Sequence, residues 1–253
     1  MERVNVLGTP VSAIDMGLAV DTIDDWIGQG LSHYVCVRDV HGVILARDDA
    51  QFRRIHERAG LVTPDGMPIV WFCRLAGYRQ VRKVSGTKLF LAVCERSRTR
   101  RTRHFFYGAT ETTLEKLSDA LRNRFPGIEI AGVHAPPFHR LDAAEDAETV
   151  ALINNARADI VWVGLGSPKQ EQWMADHVGQ LDASVLIGIG AAFDFVAGNI
   201  RRAPMWMRKC GLEWLYRLAG DPKRLWRRYL TKTPLFIPLA FLQLTGLRRY
   251  PTD

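Results

Sequence analysis

Four stretches of the chain gather glycine with polar or charged residues directly after apolar runs, the pattern of strand-end loops where α/β proteins place their chemistry. Thr63-Pro64-Asp65-Gly66-Met67-Pro68 follows Leu61-Val62. Asp-Gly is a turn signal in its own right. Asp65 also falls between a strand end and a helix expected from Pro68 to Ala76, where a carboxylate can serve as general base toward a hydroxyl. Gly164-Leu165-Gly166-Ser167-Pro168-Lys169-Gln170-Glu171 follows a second apolar run and opens a helix at Pro168, a good first helical residue. Gly164 and Gly166 allow close backbone approach, and a helix N-terminus favours phosphate. Lys169 adds positive charge, and Gln170 and Glu171 carry groups that can read a base or a ribose. The spacing is neither GxGxxG nor GxxxxGK[ST], so nucleotide binding and a plain strand-to-helix turn both stand.

The other two stretches are less committed. Gly188-Ile189-Gly190-Ala191-Ala192-Phe193-Asp194-Phe195 sets Asp194 between two aromatics, which suits a hydrogen bond to a buried turn better than a ligand contact. Phe106-Tyr107-Gly108-Ala109-Thr110 runs into a helix cap, where Gly108 serves a tight turn or part of a nucleotide site equally well. No two aspartates are separated by a single residue, so no DxD is present to hold a divalent metal on a diphosphate. Neither a metal nor a cofactor is expected. A departing diphosphate would then be neutralised by arginine, lysine and helix dipoles.

The elements that position these loops read as an α/β fold. Apolar runs at 4–7, 34–37, 61–63, 105–107, 129–133, 160–164 and 185–189 are expected strands, several of them continuous, as in a parallel sheet covered on both faces. Helical patterns lie between them at about 12–28 opening at Ser12, 42–58, 66–77, 111–124 opening at Thr110 and 142–156 opening at Asp142. Strand alternating with helix implies a Rossmann-like, doubly wound, largely parallel sheet over residues 1–198. Cys36, Cys73, Cys94 and Cys210 show no zinc spacing and read as buried thiols of a reducing compartment.

Residues 199–253 differ. Between Arg201 and Arg249 twelve basic residues stand against Glu213 and Asp221, and four prolines cut the segment into short helices. It reads as a basic helical C-terminal appendage whose excess of positive charge outweighs the rest of a chain of net charge +7. In Lys223–Leu230 the basic positions share one helical arc, while Leu225, Trp226, Tyr229 and Leu230 share the other, the pattern of a helix lying in a membrane interface. The apolar run that follows Pro234 is too short to span a bilayer and ends at Arg248-Arg249. An anionic membrane surface is the expected partner. Nucleic acid is not, since no binding motif accompanies the charge. With no leader sequence at Met1–Asn5, the expected location is cytoplasmic, peripheral on the inner face of the membrane.

Taken together, the Asp65 loop, Ala135-Pro136-Pro137-Phe138, Val163–Glu171, Gly190–Asp194 and Gly211-Leu212-Glu213-Trp214-Leu215-Tyr216-Arg217-Leu218 resemble the WecG/TagA/CpsF family, glycosyltransferase family 26, from about residue 4 to residue 232. The resemblance implies an inverting, metal-independent transfer of a hexose from a UDP-sugar to a polyprenyl-diphosphate-linked sugar, in exopolysaccharide or cell-wall polymer synthesis. It implies that Asp65 is the general base and that the Gly164–Glu171 loop lines the nucleotide pocket. It further implies that the appendage docks on the membrane and folds Arg217, Arg224 and Arg227 over the diphosphate. Two departures stand out. Val37-Arg38-Asp39 replaces a common Thr-x-Asn, leaving Asp39 and His41 as candidates for sugar hydroxyls, with packing the other reading of His41. Lys83 stands where an arginine is common, keeping the charge without the bidentate geometry. The first departure favours glucose over N-acetylmannosamine or its uronic acid. Monomer and homo-oligomer both remain open.

Two other classes compete. A non-catalytic nucleotide-binding module at the membrane would be indifferent to Asp65→Asn. An NAD-type oxidoreductase would need the GxGxxG and paired acid that this chain lacks.

Overall fold

The computed structural model describes residues 1–139, 141–201 and 203–251, with the side chains at 208, 209, 224 and 228 outside the description. The chain opens with a hairpin, β1 (Arg3–Val6) and β2 (Thr9–Ser12), followed by α1 (Met16–Gln29), β3 (His33–Arg38), α2 (Val40–Asp48), α3 (Ala50–Arg58), β4 (Leu61–Pro64) and α4 (Met67–Leu75). Then come α5 (Gly86–Arg100), β5 (Arg103–Gly108), α6 (Glu111–Arg124), β6 (Glu129–His134), α7 (Ala143–Asn155), β7 (Ile160–Gly164), α8 (Lys169–His177), β8 (Val185–Gly188) and α9 (Ala192–Val196). The last part is helical: α10 (Met205–Lys209), α11 (Glu213–Gly220), α12 (Pro222–Trp226), a π turn Arg227–Lys232, a 3-10 turn Thr233–Leu235 and α13 (Phe236–Leu244).

Six strands hydrogen-bond in the order β4-β3-β8-β7-β5-β6, all parallel and flanked by helices, the α/β architecture expected. The chain divides into two compact units. The first holds residues 1–16, 37–85 and 202–253, and the second holds 17–36 and 86–201, so β3 passes from one to the other along its length.

In the second unit, Ile160, Val161, Trp162 and Val163 of β7 are all buried, which is why that strand reads as an unbroken apolar run. Trp162 packs against Phe90 with ring centroids 4.6 Å apart and donates its indole N–H to His104 Nδ1 at 2.9 Å. In the first unit the β1–β2 hairpin turns at Leu7 and Gly8, with φ of 51° and 90°, and buries Val4, Val6 and Val11. Segment 202–253 belongs to this unit, and Phe236 sets its ring 6.3 Å from that of Phe72 in α4.

Several expectations are corrected. Ser12 does not open a helix. It ends β2, an element the sequence reading lacked, and its hydroxyl accepts from the Val62 N–H at 3.0 Å. The helix expected over 42–58 breaks at Asp49, whose extended backbone ends α2 while its carboxylate caps α3 by accepting from Phe52 N–H. Helix α5 was also missed. Of the four thiols, Cys36, Cys73 and Cys94 are buried but Cys210 is exposed, just past α10. Burial pushes the Cys73 thiol up to about 12.

Two buried histidines make stability pH-dependent. Burial lowers His56 to about 3, helped by Arg38 and opposed by the bond from Nδ1 to Phe52 O, and burial lowers His104 to about 4. Both folded values lie below the unfolded value of 6.5, so the fold favours the neutral rings. Their contribution is complete above pH 6.5 and is lost as the pH falls toward 4 and 3. Each should remove about 2 kcal/mol of unfolding free energy between pH 8 and pH 5. Urea denaturation at the two pH values measures this, and an unchanged free energy would exclude it.

Candidate functional site

The first unit assembles a cluster of charge at the end of β4. The Asp65 N–H donates to Arg38 O at 2.8 Å, and Val84 N–H donates to Pro64 O at 2.9 Å. The backbone on either side of the carboxylate is therefore fixed by neighbouring chain. Gly66, at φ 102°, turns the chain into α4, which begins at Met67 with Pro68 in its first turn. Lys83 Nζ stands 3.8 Å from Asp65 Oδ1 and 3.3 Å from Glu213 Oε2, and all three side chains are partly buried. Glu213 is the first residue of α11. The chain reaches it through Gly211, at φ 75°, where an added Cβ would meet Met67 Cβ at 3.5 Å. One ammonium thus links the base candidate to the helical segment that follows residue 202. Glu213 was absent from the expected site residues. The signal lay in the Gly211–Leu218 stretch, which carried the resemblance but was not read for its own charge.

The remaining first-unit candidates are spread along the same segments. Asp39 is the N-cap of α2, its Oδ1 accepting from Gly42 N–H at 2.9 Å. Aspartate and asparagine are equally good caps, so capping alone accounts for an acid at this position. His41 is half-buried in the first turn of α2. Arg38, not anticipated, is buried with its guanidinium 5.7 Å over the Phe52 ring. Gly42 makes room for it, since a Cβ there would lie 2.5 Å from Arg38 Nη1. Arg217 is half-buried on α11, and Arg227 is exposed with its guanidinium 5.5 Å over Trp226. The Arg224 side chain lies outside the described residues.

In the second unit the glycines at the ends of β5 and β7 answer a packing demand. Gly108 and Gly164 are register partners. A Cβ on Gly108 would stand 2.7 Å from the Gly164 carbonyl carbon, and one on Gly164 would stand 2.5 Å from the Phe193 ring. Gln170 and Glu171 are buried instead of presented to solvent. Gln170 Oε1 accepts from Gly190 N–H at 3.0 Å, while its Nε2 donates to Glu171 Oε1 at 2.8 Å. Gln170 therefore ties the loop after β7 to the loop after β8. Asp194 receives a bond from Asn199 Nδ2 at 3.2 Å, a side-chain contact near the surface and not a bond to a buried turn, and its backbone carbonyl accepts from Asn199 and Ile200. Helix α8 begins at Lys169, one residue later than expected, with Pro168 as a cap that offers no side-chain bond. Gly166, at φ 78°, and the exposed Lys169 flank that helix start, which leaves a helix N-terminus with a cation beside it.

The first unit thus holds a partly buried carboxylate at a strand end beside an ammonium, and the second holds glycine-edged strand ends and a helix start with a cation beside it. No helix of the described residues is long and apolar enough to cross a membrane.

Comparison with known proteins matches residues 4–250 to the Glycosyl transferase WecG/TagA/CpsF family. The chain is 32% identical over 186 residues to an N-acetylglucosaminyldiphosphoundecaprenol N-acetyl-beta-D-mannosaminyltransferase of Bacillus spizizenii, covering 74% of this chain and 70% of that protein. It is 27% identical over 237 residues to a protein of the same name from Staphylococcus aureus, covering 93% and 91%. The carboxylate at the end of β4 and the glycine-edged loops thus lie within a family-wide match, and the chain belongs to the WecG/TagA/CpsF family and is a glycosyltransferase.

Proposed function

We propose that the protein transfers a hexose from a UDP-sugar to a sugar carried on a polyprenyl diphosphate, with inversion and without a metal ion, in the synthesis of an exopolysaccharide or cell-wall polymer. The observation that carries this reading is Asp65, a partly buried carboxylate fixed at a strand end beside Lys83. Asp65 takes the proton of the acceptor hydroxyl. The hydroxyl oxygen forms a bond to the anomeric carbon from the face opposite UDP, and the bond to the departing diphosphate breaks. Arg217, Arg224 and Arg227 neutralise the diphosphate, a role that a chain without DxD must give to its cations. Gly108, Gly164, Gly166 and Lys169 form the nucleotide side, with Gln170, Glu171 and Asp194 holding its loops. Asp39 and His41 stand at the sugar end.

The names of the relatives make N-acetylmannosamine the first donor to test and an N-acetylglucosaminyl diphosphoundecaprenol the first acceptor. Glucose stays in the panel on the departure at Asp39, whose capping bond weakens that ground. Transfer from radiolabelled UDP-sugars to polyprenyl-diphosphate-linked sugars, with EDTA present, tests the whole reading. Absence of transfer with every donor, alongside measurable UDP binding, would instead support a non-catalytic module.

Segment 202–253 docks the protein on the inner face of the membrane in this reading. Its exposed Trp206, Trp226, Leu230, Ile237 and Phe241 support that role. Leu225 and Tyr229, expected on the same apolar arc, are buried instead and anchor the segment to its own unit. Docking completes the diphosphate site only where acceptor is present, which limits hydrolysis of the donor.

Lys83 carries a prediction of its own. Lys83→Met should lower kcat/KM about tenfold to a hundredfold, by leaving Asp65 and Glu213 without their shared cation. Lys83→Arg should restore most of the rate, and Glu213→Gln should cost under about tenfold, since a partly exposed pair contributes about 1 kcal/mol or less. Steady-state transfer rates check all three.

A further inference from the structure

The first unit also contains a cleft of about 390 Å³ that shares no lining residue with the Asp65 cluster. Leu7 and Gly8 of the hairpin turn, Arg47 and Asp48 at the end of α2, Arg53 of α3 and the tail Arg248–Pro251 line it. Four guanidinium groups therefore face one carboxylate, and that carboxylate is engaged by Arg47 at 2.5 Å. Tyr250 is only 9% exposed, yet its hydroxyl has no hydrogen-bond partner among the described residues. The cleft is built rather than incidental. Asn5 Nδ2 donates to Tyr250 O at 2.6 Å, Leu7 N–H donates to Gln243 Oε1 at 2.9 Å, and Gln243 Nε2 donates back to Asn5 O at 2.8 Å.

What lies along the chain before this cleft indicates the occupant. Ile237 and Phe241 of α13 share one face and are 74% and 63% exposed, and Leu247 beyond them is 73% exposed. The next two residues are Arg248 and Arg249 of the cleft. An apolar stripe running into a cationic cleft matches the two-part chemistry of an anionic amphiphile. We propose that this cleft binds the phosphate of an anionic phospholipid headgroup, while the α13 stripe enters the acyl region. The proposal rests on the membrane docking described above and adds to it a headgroup site.

The test uses the full chain with vesicles of phosphatidylcholine alone or mixed with phosphatidylglycerol, and with soluble short-chain phosphatidylglycerol. Anionic lipid should raise vesicle partitioning about tenfold or more, and Arg248→Gln with Arg249→Gln should abolish most of that gain. Arg98→Gln with Arg100→Gln, an equal charge loss on α5, should change it less than about twofold. Equal losses in the two double variants would reduce the effect to general charge and overturn the site. Binding of inorganic pyrophosphate in the cleft without binding of the short-chain lipid would overturn the lipid assignment. Ile237→Ser with Phe241→Ser should abolish vesicle binding yet leave short-chain binding intact, so a failure of docking and a failure of the cleft are read separately.

Discussion

Asp65→Asn should lower transfer about a thousandfold while leaving the protein folded. The magnitude follows from the role: a positioned general base contributes about two to four orders of magnitude, and asparagine cannot accept the proton. The fold should tolerate the change because the bond that fixes residue 65 is the donation of its backbone N–H to Arg38 O, which asparagine retains. The interaction with Lys83 at 3.8 Å, which asparagine weakens, is worth about 1 kcal/mol or less at a partly exposed site. The measurement pairs transfer rate with melting temperature and UDP affinity. A large rate loss with the other two unchanged places Asp65 at the reacting hydroxyl. Full activity would remove it as the base and turn attention to Asp39. A collapse of all three quantities would make it structural.

Gly108→Ala should be the most damaging of the conservative changes, and its effect should appear in stability before activity. Gly108 sits at φ 114°, where an L side chain is strained. The new Cβ would also stand 2.7 Å from the carbonyl carbon and 2.9 Å from the carbonyl oxygen of Gly164. That obstacle is backbone, so it cannot rotate aside. Nor can Gly164 retreat, because Phe193 lies against its other side within a buried cluster that includes Phe90 and Phe106. Strain and overpacking together should cost about 3 kcal/mol or more, or roughly 6–12 °C in melting temperature for a chain of this size. A change within about 1 °C would show that the ends of β5 and β7 can separate at little cost. Gly166→Ala is the useful comparison, because its Cβ would meet nothing within 4 Å and only the φ of 78° is at issue. It should cost about 1 kcal/mol.

The parallel sheet was legible because β7 and β8 are buried on both faces and so write themselves as unbroken apolar runs. Thr110 and Asp142 announced α6 and α7 because each caps through its own side chain. Strand β2 was not legible. Its turn puts Leu7 at positive φ, a residue that carries no turn signal, and the Ser12 hydroxyl that suggested a helix cap is taken by Val62, fifty residues away. The break at Asp49 was hidden because two adjacent aspartates on a helical pattern do not say which will turn inward to cap. At the site, Asp65 could be read from its place between strand and helix. Gln170 was expected to line a nucleotide pocket, but it is buried as the second residue of α8, since the sequence cannot tell a glutamine that reads a ligand from one that staples two loops. Glu213 escaped because its partner lies 130 residues away.

The first unit has an order-of-synthesis consequence. Its closing bonds join Asn5 to Tyr250 and Leu7 to Gln243, separations of 245 and 236 residues, whereas every residue of the second unit has been made by residue 201. On the ribosome the second unit can therefore mature while the opening hairpin waits, unpaired with its tail, for the last fifty or so residues. Chaperone demand should fall on that interval. A chain released early, after residue 201, would carry a finished second unit and an unfinished first unit.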